Sequence, residues 1–161
     1  MDDDCEAIIA VDQEIGGVFD SYRDYLTGRI GDVYEVFVVE DVTGHVVGWL
    51  EGNSDADLYE ELTRPSHPAP YAYVAQMLVS PRARGQGAGL ALMREFVTVA
   101  QAAGCTWLAL LPKTGDEDEA AQLAFFARCG LHELVEGEPN EGGLAAPLVD
   151  MVVALDVGGA G

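Results

Sequence analysis

Basic residues are scarce in this sequence. It contains one lysine, Lys113, and only 8 Lys and Arg residues against 28 Asp and Glu, which gives a formal net charge of −20 at pH 7. A chain with this charge is a poor partner for nucleic acid and for anionic membranes. Cationic molecules would instead be attracted to it, and the same charge also suits a soluble surface in a salty or crowded cytoplasm.

Long hydrophobic runs and paired cysteines are also missing. No apolar stretch approaches the roughly 20 residues that span a bilayer, and the acidic start Met1-Asp2-Asp3-Asp4 lacks the basic region of a signal peptide. The three cysteines, Cys5, Cys105 and Cys129, are far apart and show no metal-ligand spacing. They indicate free thiols in a reducing compartment, so we expect a cytoplasmic protein without a metal site.

The apolar content is sufficient for one folded domain. Hydrophobic residues make up 49% of the 161 residues, and we find neither a linker nor a repeat, so we expect a single domain over residues 1–161 with its core at about 6–155. Strands are predicted over 6–11, 33–40, 45–51, 73–79, 106–111, 131–135 and 148–155. Helices are predicted over 18–26 and 90–103, with another after a capping box at Thr114 and Glu117 that ends before Gly130. A long polar connection covers 53–70.

A glycine-rich turn follows the apolar run 73–79 and precedes the helix at 90–103. It reads Pro81-Arg82-Ala83-Arg84-Gly85-Gln86-Gly87-Ala88-Gly89-Leu90. A turn of this kind directs backbone N–H groups outward at the positive end of a helix dipole and can hold phosphate. Arg82, Arg84 and Arg94 are predicted to form a local positive patch there.

Three phosphate-binding motifs are candidates for this turn. A P-loop requires Lys and then Ser or Thr after the last glycine, where this chain has Leu90 and Ala91. A dinucleotide-binding fingerprint requires a third glycine where Leu90 stands. The pattern Gln/Arg-x-x-Gly-x-Gly/Ala fits residues 84–89, and on this motif the chain resembles the GNAT superfamily of N-acetyltransferases.

The resemblance implies a fold and a cosubstrate. The fold is mixed α/β, with a central, mostly antiparallel sheet that is splayed between two strands and has helices on both faces. The cosubstrate is acetyl-CoA, whose pantetheine arm would pair with Met77, Leu78 and Val79, while an N–H near Met77 polarises the thioester carbonyl. The residues implied in pyrophosphate binding are Arg84, Gly85, Gln86, Gly87, Ala88, Gly89 and Leu90.

A second stretch, residues 120–131, is similar to the alanine-rich helix of the family but departs from it at two positions. Phe126 stands where the family often has a tyrosine that protonates the leaving thiolate, and Glu119 stands where it often has an asparagine. Phenylalanine donates no proton, so the resemblance leaves the general acid unassigned.

The general base is also not evident. Many relatives carry a glutamate on the central strand or the next one, where this chain has Ala75, Gln76 and Ala109. We therefore consider Glu51 and His67 as bases, and Tyr71 and Tyr73 as proton donors. For each of these residues, a structural or surface role is the alternative.

These observations predict an acetyl-CoA-dependent N-acetyltransferase. Its acceptor would be a small-molecule or peptide amine, with a cationic one favoured, attacked directly and without a covalent enzyme intermediate. One alternative is a non-catalytic GNAT-fold module that binds acyl-CoA as a sensor or interaction partner. Another is an acidic protein that mimics nucleic acid, which would leave the glycine turn unexplained. We expect no nucleic acid or membrane partner, and a homodimer is compatible with the sequence.

Overall fold

The computed structural model describes residues 2–14, 34–54, 71–112, 115, 117–133 and 143–158. The predicted helix over 18–26, His67 and most of the 53–70 connection lie outside these residues. The helices are α1 (Asp2–Glu14), α2 (Ala88–Ala102), α3 (Glu119–Arg128) and α4 (Leu148–Gly158), with a short 3-10 helix at Pro81–Ala83. The strands are β1 (Glu35–Glu40), β2 (Val46–Asn53), β3 (Tyr71–Val79), β4 (Trp107–Leu110), β5 (His132–Glu133) and β6 (Leu144–Pro147).

The six strands form one sheet in the order β1-β2-β3-β4-β6-β5. The β3–β4 pair is parallel, and the other four pairs are antiparallel. The expected β1–β2 hairpin is confirmed, and its turn is held by Asp41 Oδ1, which accepts the Thr43 N–H at 2.8 Å. The prediction of a mixed α/β fold with a mostly antiparallel sheet is therefore confirmed.

The two faces of the sheet are covered by different helices. Because side chains alternate along a strand, Val36 and Val38 pack toward α1, whereas Phe37 and Val39 pack toward α2. The core on the α1 face is centred on Ile8, Val11 and Trp49. The core on the α2 face is larger and draws buried residues from β2, β3, β4, β6 and the other three helices.

A bulge interrupts the β2–β3 register. Glu51 lies opposite Gln76, but the next residue, Gly52, lies opposite Val74, so Ala75 is extra. An extra residue reverses the alternation beyond it. As a result, Ala72 and Val74 before the bulge and Met77 and Val79 after it all belong to the core on the α2 face.

The strand predicted over 6–11 is wrong, because these residues lie in helix α1. Ile8 and Val11, three positions apart, are buried, whereas Glu6 and Ala10 are exposed. This spacing is that of a helix with one face on the sheet. A six-residue window was too short to distinguish it from a strand.

The strand predicted over 148–155 is also wrong, because these residues form helix α4. Leu148, Met151 and Leu155 are buried, while Val149 and Val153 face solvent. A continuous apolar run fits either a buried strand or a helix, and here the helix is realised. The closing strand is instead β6, which pairs with β5.

Helix α3 begins later in the chain than the sequence predicts. Helix α3 begins at Glu119, after Asp118, so the predicted capping box at Glu117 does not start it; Thr114 lies outside the described residues. Glu119 Oε2 instead accepts the Gly115 N–H at 2.8 Å. None of the helices in the described ranges is long and apolar enough to cross a membrane.

Candidate functional site

Strand β3 is paired on both sides along only half of its length. Tyr71 to Val74 pair with β4, which ends at Leu110 opposite Val74. From Gln76 to Val79, β3 pairs with β2 alone within the described part of the chain. Since β4 ends and β3 continues, the sheet is open at this edge, which agrees with the expected splay between two strands.

The direction of the backbone groups at this open edge follows from one hydrogen bond. The Ser80 N–H donates to Val47 O at 2.8 Å, so it points toward β2. Backbone N–H groups alternate in direction along a strand. The N–H groups of Met77 and Val79 therefore point away from β2 into the open side, whereas that of Leu78 points toward β2.

The glycine turn lies at the end of β3. Gly85 and Gly87 have φ values of 76° and 87°, which a residue with a Cβ rarely adopts. A Cβ added to either would meet nothing within 4 Å, so open space lies in front of them. The first helical bond runs from Ala91 N–H to Gly87 O, and the N–H groups of residues 88–90 therefore have no acceptor within α2. We call residues 85–90 the anion cradle.

The third glycine of the cradle has a different reason to be glycine. A Cβ on Gly89 would lie 3.0 Å from the Phe125 ring and 3.2 Å from Met77 Cε. The Phe125 ring of α3 thus packs against the first turn of α2. The sequence motif combines glycines required by backbone conformation with one required by packing.

The arginines around the cradle are held by acidic or carbonyl partners. Arg84 Nη1 donates to Asp118 Oδ2 at 2.9 Å, and Arg82 Nη2 lies 3.4 Å from Glu14 Oε1. Arg94 is directed elsewhere, because its Nη2 donates to Leu155 O at 2.6 Å near the end of α4. The predicted patch of three arginines is therefore wrong: two arginines flank the cradle, and each is paired with a carboxylate.

Three of the catalytic candidates lie on the α1 face of the sheet. Glu51 is only 1% exposed, lies opposite Gln76, and shares its face with Trp49 and Leu78. Tyr71 and Tyr73 lie on the same face of β3, because the residues between and after them, Ala72 and Val74, belong to the opposite core. The fourth candidate, His67, lies outside the described residues.

Tyr73 lies beside the point where the sheet opens. It is opposite Ala109, one residue before the last β3–β4 pair, and opposite Asn53 on the other side. Burial raises the pKa of its phenol, and the nearby Tyr34 raises it further. The phenol is thus protonated at neutral pH and can act as a hydrogen-bond donor.

The position of the family tyrosine is part of the hydrophobic core. Phe126 is 9% exposed and packs edge-on against Phe125, with ring centroids 5.3 Å apart. The neighbouring Cys129 is buried, and burial raises the pKa of its thiol to about 12. Such a thiol is protonated at neutral pH and is a weak nucleophile. Cys105 donates its S–H to Ser54 O at 2.9 Å.

Sequence reasoning missed two residues of this region, Glu14 and Asp118. Glu14 accepts a hydrogen bond from the Ser80 hydroxyl and pairs with Arg82, although it lies far from both in sequence. Asp118 reaches Arg84 across 34 positions. A single sequence carries no signal for such distant pairs. In the described ranges, no three His, Cys, Asp or Glu side chains are grouped as metal ligands would be.

The family comparison identifies this architecture. The model of the acetyltransferase (GNAT) family matches residues 8–131, which include the cradle, the open edge and α3. The chain therefore belongs to the GNAT family of acetyltransferases. No curated protein matches the sequence at a significant level.

Solved structures share the fold at low sequence identity. An N-acetyltransferase from Staphylococcus aureus Mu50 is 17% identical with a TM-score of 0.65, covering 92% of this chain and 94% of that one. The ribosomal-protein-S18-alanine N-acetyltransferase from Escherichia coli is 17% identical with a TM-score of 0.56, covering 81% and 79%. A mutant of the toxin AtaT, bound to acetyl-CoA and the C-terminus of the antitoxin AtaR, is 18% identical with a TM-score of 0.57 and covers 84% of each chain.

Proposed function

We propose that this protein is an acetyl-CoA-dependent N-acetyltransferase that transfers the acetyl group directly to an amine. The observation that carries the proposal is the open edge of β3, which leads directly into the anion cradle. Acetyl-CoA fits this geometry because its pyrophosphate needs backbone N–H donors at a helix start, and its pantetheine arm needs a strand edge with free backbone groups. Acetyl-CoA supplies an acetyl group activated as a thioester.

Each part of the site has a role in this proposal. Gly85 and Gly87 let the backbone approach the phosphates, and the N–H groups of residues 88–90 bind them. The Met77 and Val79 backbone groups hold the pantetheine arm, and the Met77 N–H donates to the thioester carbonyl oxygen, where negative charge develops. The side chain of Leu78 remains part of the core on the α1 face. Arg84 and Gln86 border the phosphates.

Proton transfer is assigned to the α1 face. An amine attacks only in its neutral form, and Glu51 is the described carboxylate on the strand next to the open edge, so we assign it as the base that removes the ammonium proton. The amine nitrogen bonds to the acetyl carbon as the C–S bond breaks. We assign Tyr73, a neutral phenol beside the opening, as the donor of a proton to the thiolate. The second nitrogen proton, released as the amide forms, restores the phenol through solvent.

The acceptor is proposed to be a cationic amine. The net charge of −20 attracts positively charged molecules over a distance set by the Debye length, roughly 10 Å at 0.1 M salt. A polyamine, an aminoglycoside or a basic peptide terminus would be attracted, whereas an acidic amine would be repelled.

One observation favours a second candidate, a module that binds acyl-CoA without transferring the acetyl group. Phe126 occupies the tyrosine position and is packed in the core, so this position supplies no proton. A domain that only binds acyl-CoA would not need one. Release of free CoA in the presence of an amine panel separates the two functions.

Binding is tested separately from transfer, by thermal unfolding with acetyl-CoA. Acetyl-CoA should raise the melting temperature, because binding to the native state adds about 2.7 kcal/mol at a hundredfold excess over Kd. Gly87→Asp should abolish this shift, since it adds a carboxylate in front of the phosphate site and a Cβ at positive φ. Gly104→Asp is the control, because Gly104 also has a positive φ and open space but follows the C-terminal end of α2, at the opposite end of that helix from the cradle. No shift with millimolar acetyl-CoA would contradict the proposal.

A further inference from the structure

The anion cradle has no excess of positive charge among the described residues that contact it. Arg82 and Arg84 are paired with Glu14 and Asp118 at 3.4 and 2.9 Å. Asp118 makes no side-chain capping bond to α3, and its Oδ2 accepts a hydrogen bond from Arg84 Nη1. Glu117 and Glu119 flank Asp118 in sequence. Phosphates at the cradle would therefore meet backbone N–H groups and two arginines that are already paired with the carboxylates of Glu14 and Asp118.

This arrangement changes the balance of forces on an anionic ligand. Acetyl-CoA carries about four negative charges at neutral pH, because its 3′-phosphate contributes nearly two and the two phosphates of its pyrophosphate contribute about one each. The backbone N–H groups bind the pyrophosphate at short range, where salt screens little. The net charge of −20 repels the same ligand at long range, where salt screens strongly.

We propose that Glu14 and Asp118 set the affinity of the cradle by neutralising its two arginines, so that acyl-CoA binding becomes stronger as salt concentration rises. This inference rests on the proposed function, because it assumes that acetyl-CoA binds at the cradle. This increase of affinity with salt is opposite to the behaviour of a site where unpaired arginines bind phosphate and salt ions compete. In this proposal Glu14 and Asp118 are positioning residues that act on the ligand through Arg82 and Arg84.

The arginines keep donors for the ligand while they are paired. A guanidinium has five N–H donors, and the Arg84–Asp118 contact uses Nη1. Arg84 can therefore bind a phosphate without leaving Asp118, whose charge continues to oppose the ligand. Replacing Asp118 by Asn keeps a side chain of the same shape and removes that charge.

The first experiment measures the Kd of acetyl-CoA by titration calorimetry between 0.1 and 1 M KCl. The Debye length falls from roughly 10 to about 3 Å over this range, and we expect affinity to rise at least about tenfold. A parallel series at 0.1 M KCl with sucrose stabilises the fold without screening charge, and affinity should stay low there. Recovery of affinity in sucrose would overturn the inference, because the salt effect would then be one of folding.

The second experiment compares variants at 0.1 M KCl, with folding checked by circular dichroism. Asp118→Asn and Glu14→Gln should each tighten acetyl-CoA binding by about threefold, and the gain should vanish at 1 M KCl. Glu133→Gln is the control, because it removes one exposed charge on β5, three strands away from β3. Its effect should be clearly smaller. Equal or weaker binding by Asp118→Asn would overturn the inference.

The outcomes also separate this inference from the proposed function. Absence of acetyl-CoA binding at every salt concentration would contradict the function. Binding that weakens steadily with salt would leave the function intact and overturn the inference. CoA lacking its 3′-phosphate should show a smaller salt response, since it carries fewer charges; an equal response would also count against the inference.

Discussion

The two faces of the sheet differ in the composition of their interiors. The α2 face is covered by a continuous apolar core that includes Leu50, Phe96 and Leu108. The α1 face has a small apolar core around Trp49 and also buries the acidic side chains of Asp12 and Glu51. The difference suggests that the α2 face supplies stability, whereas the α1 face contains groups that can exchange protons.

Strand β3 belongs to both faces and connects these roles. Its bulge at Ala75 keeps Val74 and Met77 in the core on the α2 face while Gln76 lies opposite Glu51. Beyond the end of β4, the backbone N–H groups of Met77 and Val79 point into the open side of the sheet. The open edge is therefore held by a rigid core on one side and faces polar groups on the other.

The largest effect is expected from a change on the α2 face, Phe96→Ala. The ring is fully buried, meets Phe37 edge-on at 5.8 Å, and fills the space that a Cβ on Gly52 would take. Its removal should lower the free energy of unfolding by about 3 to 5 kcal/mol in denaturant titration. Val153→Ala, an exposed site on α4, should change it by less than about 0.5 kcal/mol. A loss below about 1 kcal/mol for Phe96→Ala would contradict the assignment of stability to this face.

The sequence predicts features that are encoded within one short segment better than features that depend on contacts between distant segments. The glycine turn was predictable because conformation at Gly85 and Gly87, the preceding strand and the following helix are encoded within one short segment. The helices α1 and α4 were mistaken for strands because short apolar runs fit both periods. The α3 start was misplaced as well, because the helix begins at Glu119, two residues after the Glu117 of the predicted capping box.

The rest of the candidate site depends on contacts between distant parts of the chain. The burial of Glu51, the bulge at Ala75 and the pairing of Arg84 with Asp118 arise only when strands and helices are brought together. The sequence suggested Glu51 by residue type, but its position opposite Gln76 is set by the register of β2 and β3. The prediction of a positive patch was wrong for the same reason, since the acidic partners of Arg82 and Arg84 are remote from them in sequence.

An intermediate effect is expected from Glu51→Gln on the α1 face, which should reduce turnover rather than stability. Loss of the proposed base should lower kcat by about a hundredfold or more and remove the acidic limb of the pH–rate profile. The Kd of acetyl-CoA should stay unchanged. Glu35→Gln is the matched control: this half-buried carboxylate on β1 accepts the Ser54 O–H at 2.7 Å and lies on the α2 face. A normal kcat and pH profile for Glu51→Gln would show that the buried carboxylate is structural.

The smallest effect is expected from Asp12→Asn, which tests whether the acidic groups on the α1 face cost stability. Asp12 is 6% exposed, and burial raises its pKa above the ordinary value of 3.8. The folded state then binds more protons than the unfolded state between these two pKa values, so this residue's contribution to stability falls as pH rises through them. At pH 7 the ionised carboxylate is buried at a cost, which the neutral amide avoids. Asp12→Asn should therefore melt at a higher temperature than the wild type at pH 7, and the difference should shrink toward pH 4. A lower melting temperature at pH 7 would show that the Asp12 charge is stabilised in the fold, and the contrast between the two faces would then be weaker than proposed.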